Sequence, residues 1–283
     1  MKYITHKGVV IPLIGFGTWT IGDDESKRTD EVETIVYGAH KYDMTLIDTA
    51  EMYGLGKSET VVADAISRLD RDSLFIVGKI LPENARRGQY IESCTNSLKR
   101  LGIECFDLYL LHWRSNVNLQ EMVDQMEKLV SLGLIKRWGV SNFDVEDMED
   151  LYKCKNGDKC FCNQCLYNVG ARGPEYDLIP WCQNHGVLFM AYSPLCNNAL
   201  DRIRVTSDER IKEIVKKEDM TPESLLLNFV IRNDDIVTVF KTSNIKHLDS
   251  NLKNVFNKMS EQSRKEIDKS FPFPTRKIKL LKI

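Results

Sequence analysis

The chain reads as an α/β protein, a (β/α)8 barrel of the TIM-barrel class with an N-terminal β-hairpin cap, and three observations carry that expectation. Its 283 residues suit one such barrel, which takes ~250 residues. From about residue 44 onward, short β-rich apolar runs alternate with amphipathic stretches, the beat of repeated βα units around a parallel sheet. Eight strand-like runs occur, and no low-complexity linker or shift of composition divides them. Residues 1–283 are therefore expected to form one domain.

Taken in order, the segment Tyr3 to Pro12 carries Gly8 between two short β-like pieces, a hairpin expected to close the bottom of the barrel. The strands follow at LIGFGTW (13 to 19), TLIDTA (45 to 50), LFIVGKI (74 to 80), FDLYLLHW (106 to 113), IKRWGVSN (135 to 142), FCNQCLYN (161 to 168), VLFMAYSP (187 to 194) and IVTVFKTS (236 to 243). Between them, Val32, Ile35, Val36 and Ala39, and later Met122, Met126 and Leu129, recur at spacings of 3 and 4 that set apolar side chains on one helix face. Thr221-Pro222-Glu223 offers a capping hydroxyl and then proline at the first helical position, opening an extra or final helix.

Composition narrows the classes of partner. Hydrophobic residues make up 42% and charged residues 28%, enough apolar material for a large core. A formal net charge of -2, with a single short basic cluster at Arg276 to Lys282, argues against a nucleic-acid surface. No apolar run approaches the ~18 residues that would span a bilayer, and the first ten residues lack a signal-peptide core. The expectation is a cytoplasmic protein, a monomer or weak oligomer with no membrane partner. Its eight scattered cysteines are then reduced thiols.

In a barrel of this class the chemistry sits where strands end and βα loops begin. Here those ends are polar. The second strand ends in Asp48, with Tyr53 in its loop, the third in Lys79 and the fourth in His112. Further on come Ser141 and Asn142, Asn163 and Gln164, Tyr192 and Ser193, and then Lys241, Thr242 and Ser243. One buried Asp and Lys would make an ordinary structural ion pair, and one His an ordinary rim residue. Four titratable groups converging on one mouth fit a catalytic site better.

The motifs GFGTW (15 to 19), DTAEMYGLGKSE (48 to 59), GK (78 to 79), LLHW (110 to 113), GVSNF (139 to 143), NQ (163 to 164), YSPL (192 to 195) and TPESLLLNFVIR (221 to 232) occur in this order. Together they resemble the aldo-keto reductases over nearly the whole chain. The resemblance implies a (β/α)8 barrel that binds NADPH, or less often NADH, across its mouth and reduces the carbonyl of a small molecule. It carries a catalytic tetrad onto Asp48, Tyr53, Lys79 and His112. It further implies cofactor contacts from Gly17, Thr18, Trp19 and Asp48, with Ser141, Asn142 and Gln164 on the carboxamide and Tyr192 stacked on the nicotinamide. Ser193, Leu195, Lys241, Thr242 and Ser243 would hold the phosphates, and Trp19, Tyr53, His112 and Trp113 would face the substrate. Where many members clamp the adenosine 2′-phosphate with arginine, this chain has His247, which is charged only when protonated. Ser250 replaces a glutamate found near the adenine, and Asn251 is retained. Potassium-channel β-subunits also resemble these enzymes, so a nicotinamide-binding regulatory module is the alternative function.

Carbonyl reduction needs a proton for the oxygen as hydride reaches the carbon, and Tyr53 is the candidate acid. A free phenol, with pKa ~10, is a weak acid at neutrality; the charge of Lys79 is expected to lower that value, with Asp48 keeping Lys79 protonated. His112 is left to orient the carbonyl, donate a hydrogen bond or help pass the proton.

Other motifs have plainer explanations. GFGTWT lacks the third glycine of a dinucleotide fingerprint, and GKS at 56 to 58 lacks the leading glycine of a P-loop, with Glu51 in its place. Cys162 and Cys165 have the spacing of a redox pair, near Cys154 and Cys160. On a strand, however, side chains three apart face opposite ways, so no metal site is expected. A metal-dependent barrel hydrolase would want more histidine at the strand ends than His112 alone. The short loop after His112 and the brief tail after Phe273 predict an open pocket.

Overall fold

The computed structural model describes residues 1–196 and 198–282. The hairpin is made of β1 (Tyr3–His6) and β2 (Val9–Pro12), antiparallel and joined at Lys7-Gly8, both with positive φ. The barrel strands are β3 (Ile14–Gly17), β4 (Leu46–Asp48), β5 (Phe75–Ile80), β6 (Leu108–Leu111), β7 (Trp138–Ser141), β8 (Cys162–Leu166), β9 (Leu188–Tyr192) and β10 (Ile236–Phe240). They run parallel, and β10 closes onto β3, which completes the (β/α)8 barrel. Each strand is shorter than the sequence run that announced it, at one end or both.

The helices are α1 (Arg28–Tyr42), α2 (Lys57–Ile66), α3 (Pro82–Arg86), α4 (Tyr90–Leu101), α5 (Leu119–Ser131), α6 (Val145–Tyr152), α7 (Leu178–Asn184), α8 (Ala199–Thr206), α9 (Glu209–Lys217), α10 (Pro222–Ile231), α11 (Ile245–Leu252) and α12 (Glu261–Ser270). The expected faces are the buried ones: Val32, Ile35 and Val36 on α1, with Ala39 half-buried beside them, and Met122, Met126 and Leu129 on α5. Thr221 caps α10, accepting from the Ser224 amide at 3.1 Å. That helix is the connection into β10 rather than the last one, since α11 and α12 follow it.

Period-two alternation divides the core in two. Leu46, Val77, Leu108, Leu110, Met190 and Val239 belong to the cluster that fills the barrel, joined from below by Ile11 of the hairpin. Their neighbours Ile47, Ile76, Tyr109, Leu111 and Phe189 pack outward with the helices. Each such side chain contributes roughly 1.5–3 kcal/mol on leaving water. At Gly15 the barrel interior has no room, since a Cβ there would lie 2.4 Å from Leu46 Cγ and 2.6 Å from Leu46 O.

The cysteines follow the same alternation. Cys162 is among the barrel-filling side chains, whereas Cys160, Cys165 and Cys182 pack in the outer layer. Burial pushes the Cys160 and Cys165 thiols up to about 12, so neither is a ready thiolate. Among the described residues no helix is long and apolar enough to cross a membrane.

Candidate active site

Continuing the inward set of each strand by one step beyond the apolar layers gives a ring of polar residues. β4 contributes Asp48, β5 Lys79, β7 Ser141, β8 Gln164 and β9 Tyr192, with His112 just past β6 and Gly17 ending β3. Register pairs Gly17 with Asp48 and Ser141 with Gln164, whereas Asp48, Lys79 and Gln164 pair with Val77, Leu110 and Met190, each two residues before the next member of the ring. Above the ring lies a cleft of about 450 Å³.

Lys79 is the hub of the ring. It is 1% exposed, and an ammonium has three protons to place. They go to Asp48 Oδ1 at 2.5 Å, the Thr49 carbonyl at 3.1 Å and the Tyr53 hydroxyl at 3.2 Å. Burial works against the charged amine, but Asp48 and then Tyr53 outweigh it and leave the Lys79 pKa above its ordinary value. The other Asp48 oxygen, Oδ2, accepts from Gln164 Nε2 at 2.7 Å. A carboxylate only accepts, so this contact fixes the amide orientation and leaves Gln164 Oε1 as the acceptor for a ligand.

Tyr53 reaches Lys79 by way of a strained turn. Its amide donates to Ala50 O at 3.0 Å, and the chain then takes positive φ at Gly54 (56°), Leu55 (54°) and Gly56 (90°). A Cβ at Gly56 would meet Arg100 Nε at 2.7 Å. Arg100 is held there by the buried Glu59 carboxylate at 2.5 Å. Leucine in the left-handed region is costly, and such strain persists where surrounding structure imposes it.

The charge balance at Tyr53 corrects one expectation. Burial drives the phenol above its ordinary 10.0, and the pull of Lys79 only partly opposes this because Asp48 offsets it. Burial, helped by the Asp48 charge, outweighs Lys79 at the phenol, so the hydroxyl rests protonated. Since its oxygen accepts from Lys79, its own proton is free to point into the cleft.

His112 packs edge-on to Tyr53, ring centroids 5.7 Å apart. Burial, and then the Lys79 charge, hold its pKa well below the usual 6.5. The imidazole is therefore neutral at neutral pH, and its Nδ1 is buried without a partner. The unfolded chain takes up this proton near pH 6.5 while the folded one does not, so the contribution is full above that pH and shrinks as pH falls below it. Wild type is expected to lose stability to acid from about pH 6.5 downward, and His112→Gln to lose less of it, measured as Tm against pH.

Of the remaining expected contacts, Thr18, Trp19, Trp113, Ser193, Leu195 and Lys241 line the cleft, as do Ser141, Asn142 and Tyr192. Trp19 is half exposed, in keeping with an open mouth. Asn142 is already engaged: it donates to His112 O at 3.2 Å and to Ser141 Oγ, and accepts from Tyr192 OH at 2.8 Å. It thereby steadies the backbone of His112 and the ring of Tyr192. Thr242, Ser243, His247 and Asn251 lie outside the cleft wall. They sit in the loop after β10 and on α11, whose first turn is capped by Asn244 through the amides of Lys246 and His247.

Several wall residues, Met52 and Arg202 among them, had no site role in the sequence reading. Met52 belonged to a recognised motif but had no assigned role, and Arg202 on α8 belongs to no motif at all. Arg202 and Lys241 together bring two cations to the cleft, which suits a phosphate-bearing ligand at the loops after the last two barrel strands.

The Aldo/keto reductase family matches residues 13–271. The chain belongs to that family. This aldo/keto reductase is 39% identical over 280 residues to the methylglyoxal reductase YeaE of Escherichia coli (strain K12), covering 99% of this chain and 98% of that protein. It superposes with a TM-score of 0.95, at 39% identity, on an aldo-keto reductase from Klebsiella pneumoniae solved in complex with NADPH, covering 100% of this chain and 99% of that one. A thermostable aldo-keto reductase, Tm1743, solved with the inhibitor epalrestat, matches at a TM-score of 0.85 and 35% identity over 95% of this chain and 100% of that one. Like its family, this chain is an oxidoreductase that depends on a nicotinamide cofactor.

Proposed function

We propose that the chain, acting as one unit over residues 1–283, reduces small aldehydes and ketones to alcohols by hydride transfer from NADPH, with Tyr53 as the general acid. The observation that carries this reading is the bond from Lys79 Nζ to the Tyr53 oxygen, which turns the phenol proton toward the cleft. When bound, the nicotinamide supplies the hydride. Tyr53 gives its proton to the carbonyl oxygen, and Lys79 stabilises the phenolate left behind. Asp48 keeps Lys79 charged and aimed, and Gln164 holds Asp48. Neutral His112 orients the carbonyl oxygen over Tyr53 by hydrogen bonding. The residues present fit the cofactor: Gln164 Oε1 is left to accept from a carboxamide beside Ser141 and Asn142, and Lys241 and Arg202 flank a place for phosphates.

The relative that reduces methylglyoxal directs the test to short oxoaldehydes. Protein, NADPH and a panel including methylglyoxal should show NADPH consumption and formation of the alcohol. Tight NADPH binding without turnover of any carbonyl would favour the regulatory module instead.

His247 is exposed on the first turn of α11, where arginine would carry a permanent charge. His247→Arg is expected to raise the preference for NADPH over NADH by roughly fivefold, the ~1 kcal/mol of an exposed charge pair. The ratio of the two dissociation constants at pH 8 measures it, and an unchanged ratio removes His247 from the phosphate site.

A further inference from the structure

Between the strand that carries Asp48 and the turn that carries Tyr53, one side chain crosses to the neighbouring element. Thr49 continues the sheet ladder, its amide donating to Val77 O at 2.9 Å and its carbonyl accepting from Lys79 Nζ at 3.1 Å. The chain then leaves the sheet. Two residues on, the half-buried Glu51 carboxylate takes over as acceptor, with Oε1 receiving the Leu81 amide at 2.7 Å and Asn84 Nδ2 at 2.9 Å. Leu81 lies two residues beyond Lys79, and Glu51 lies two before Tyr53. A single oxygen thus ties the tyrosine turn to the segment that leaves the lysine strand.

We propose that Glu51, with Asn84 as its second donor, is a positioning residue that sets the separation of the Tyr53 hydroxyl and Lys79 Nζ. This rests on the reading of Tyr53 as the acid. The backbone of the turn gives Tyr53 few other anchors on this side. Its amide bond to Ala50 O is internal to the turn, and Gly54, Leu55 and Gly56 follow in the left-handed region. The phenol can swing unless the turn is held, and a displacement of 1 Å at a reacting group costs on the order of 100-fold in rate. Glu51 touches neither the phenol nor the lysine amine, so it acts through the placement of the turn.

The test compares Glu51→Gln, Glu51→Leu and Tyr53→Phe in NADPH-dependent aldehyde reduction. Glutamine keeps an oxygen that can accept both bonds, and its kcat should stay within about threefold of wild type. Leucine has no acceptor, and its kcat should fall ~10- to 100-fold, with the carbonyl KM and the NADPH dissociation constant within about threefold. The solvent deuterium isotope effect on kcat should rise as proton delivery becomes the slow step. A Glu51→Leu enzyme with near wild-type kcat, beside an inactive Tyr53→Phe, overturns the inference and leaves the acid in place. Loss of kcat with equal loss of NADPH binding and an unmoved isotope effect also overturns it, since that is general damage. A Tyr53→Phe enzyme with full kcat overturns the underlying reading instead. Should Glu51→Leu not fold, Asn84→Ala decides: a three- to tenfold fall in kcat supports the tether, and an unchanged kcat overturns it.

Discussion

Replacing Tyr53 by phenylalanine is expected to cut carbonyl reduction by ~10²–10⁴-fold, the usual cost of losing a general acid, while NADPH binding stays close to wild type. The hydroxyl oxygen accepts a hydrogen bond from Lys79, which leaves its own proton free to face the cleft. The substitution removes that donor but keeps the ring, which packs against His112. Two effects bear on the size of the loss. Burial makes the phenol a weaker acid than a free one, whereas Lys79 stabilises the phenolate as it forms. The second grows along the reaction, because the negative charge that Lys79 attracts develops only as the proton leaves. Rates with a reactive aldehyde, together with NADPH dissociation constants by fluorescence, measure both halves of the expectation. Near-full kcat in Tyr53→Phe would falsify the assignment of the acid.

Lys79→Met is expected to damage both activity and stability. Lys79 and Asp48 are almost wholly buried, and removing one partner of such a pair leaves an uncompensated charge that costs roughly 3–5 kcal/mol. Gln164 still donates to Asp48 Oδ2, which places the expected cost toward the lower end. The corresponding fall in Tm is on the order of 10 °C. Adding Asp48→Asn removes the stranded charge and should restore part of the lost Tm, though no activity. If Lys79→Met alone melts like wild type, the pair is not the buried, mutually compensating unit described above.

The ring of polar residues was legible as a set of polar strand ends, and strand alternation explains why they share one interior. Once Leu46, Val77 and Leu110 face the interior, Asp48, Lys79 and His112 must face it too, two residues further along each strand. The same reasoning separated Cys162 from Cys165 without any structure. Tyr53 was read only as a loop residue after Asp48, with its place in the tetrad coming from the family motifs; alternation could not aim its side chain, because it lies beyond the strand in a turn with three successive positive φ values. Arg202 was not legible at all. A lone arginine on a short helix has no pattern of its own, and only the packing of α8 beside the cleft gives it a place there.

By itself, the sequence determined the barrel, the hairpin below it, the level at which the polar ring sits and the members of that ring, since all of these follow from periodicity and motif order along one chain. The tertiary structure alone decided what the ring does with its charges. The bond from Gln164 to Asp48 joins residues 116 apart in sequence, and the phenol of Tyr53 is raised rather than lowered because burial outweighs a lysine whose charge Asp48 already offsets. Both are balances between terms that change steeply over an ångström or two, and sequence spacing carries no information at that scale.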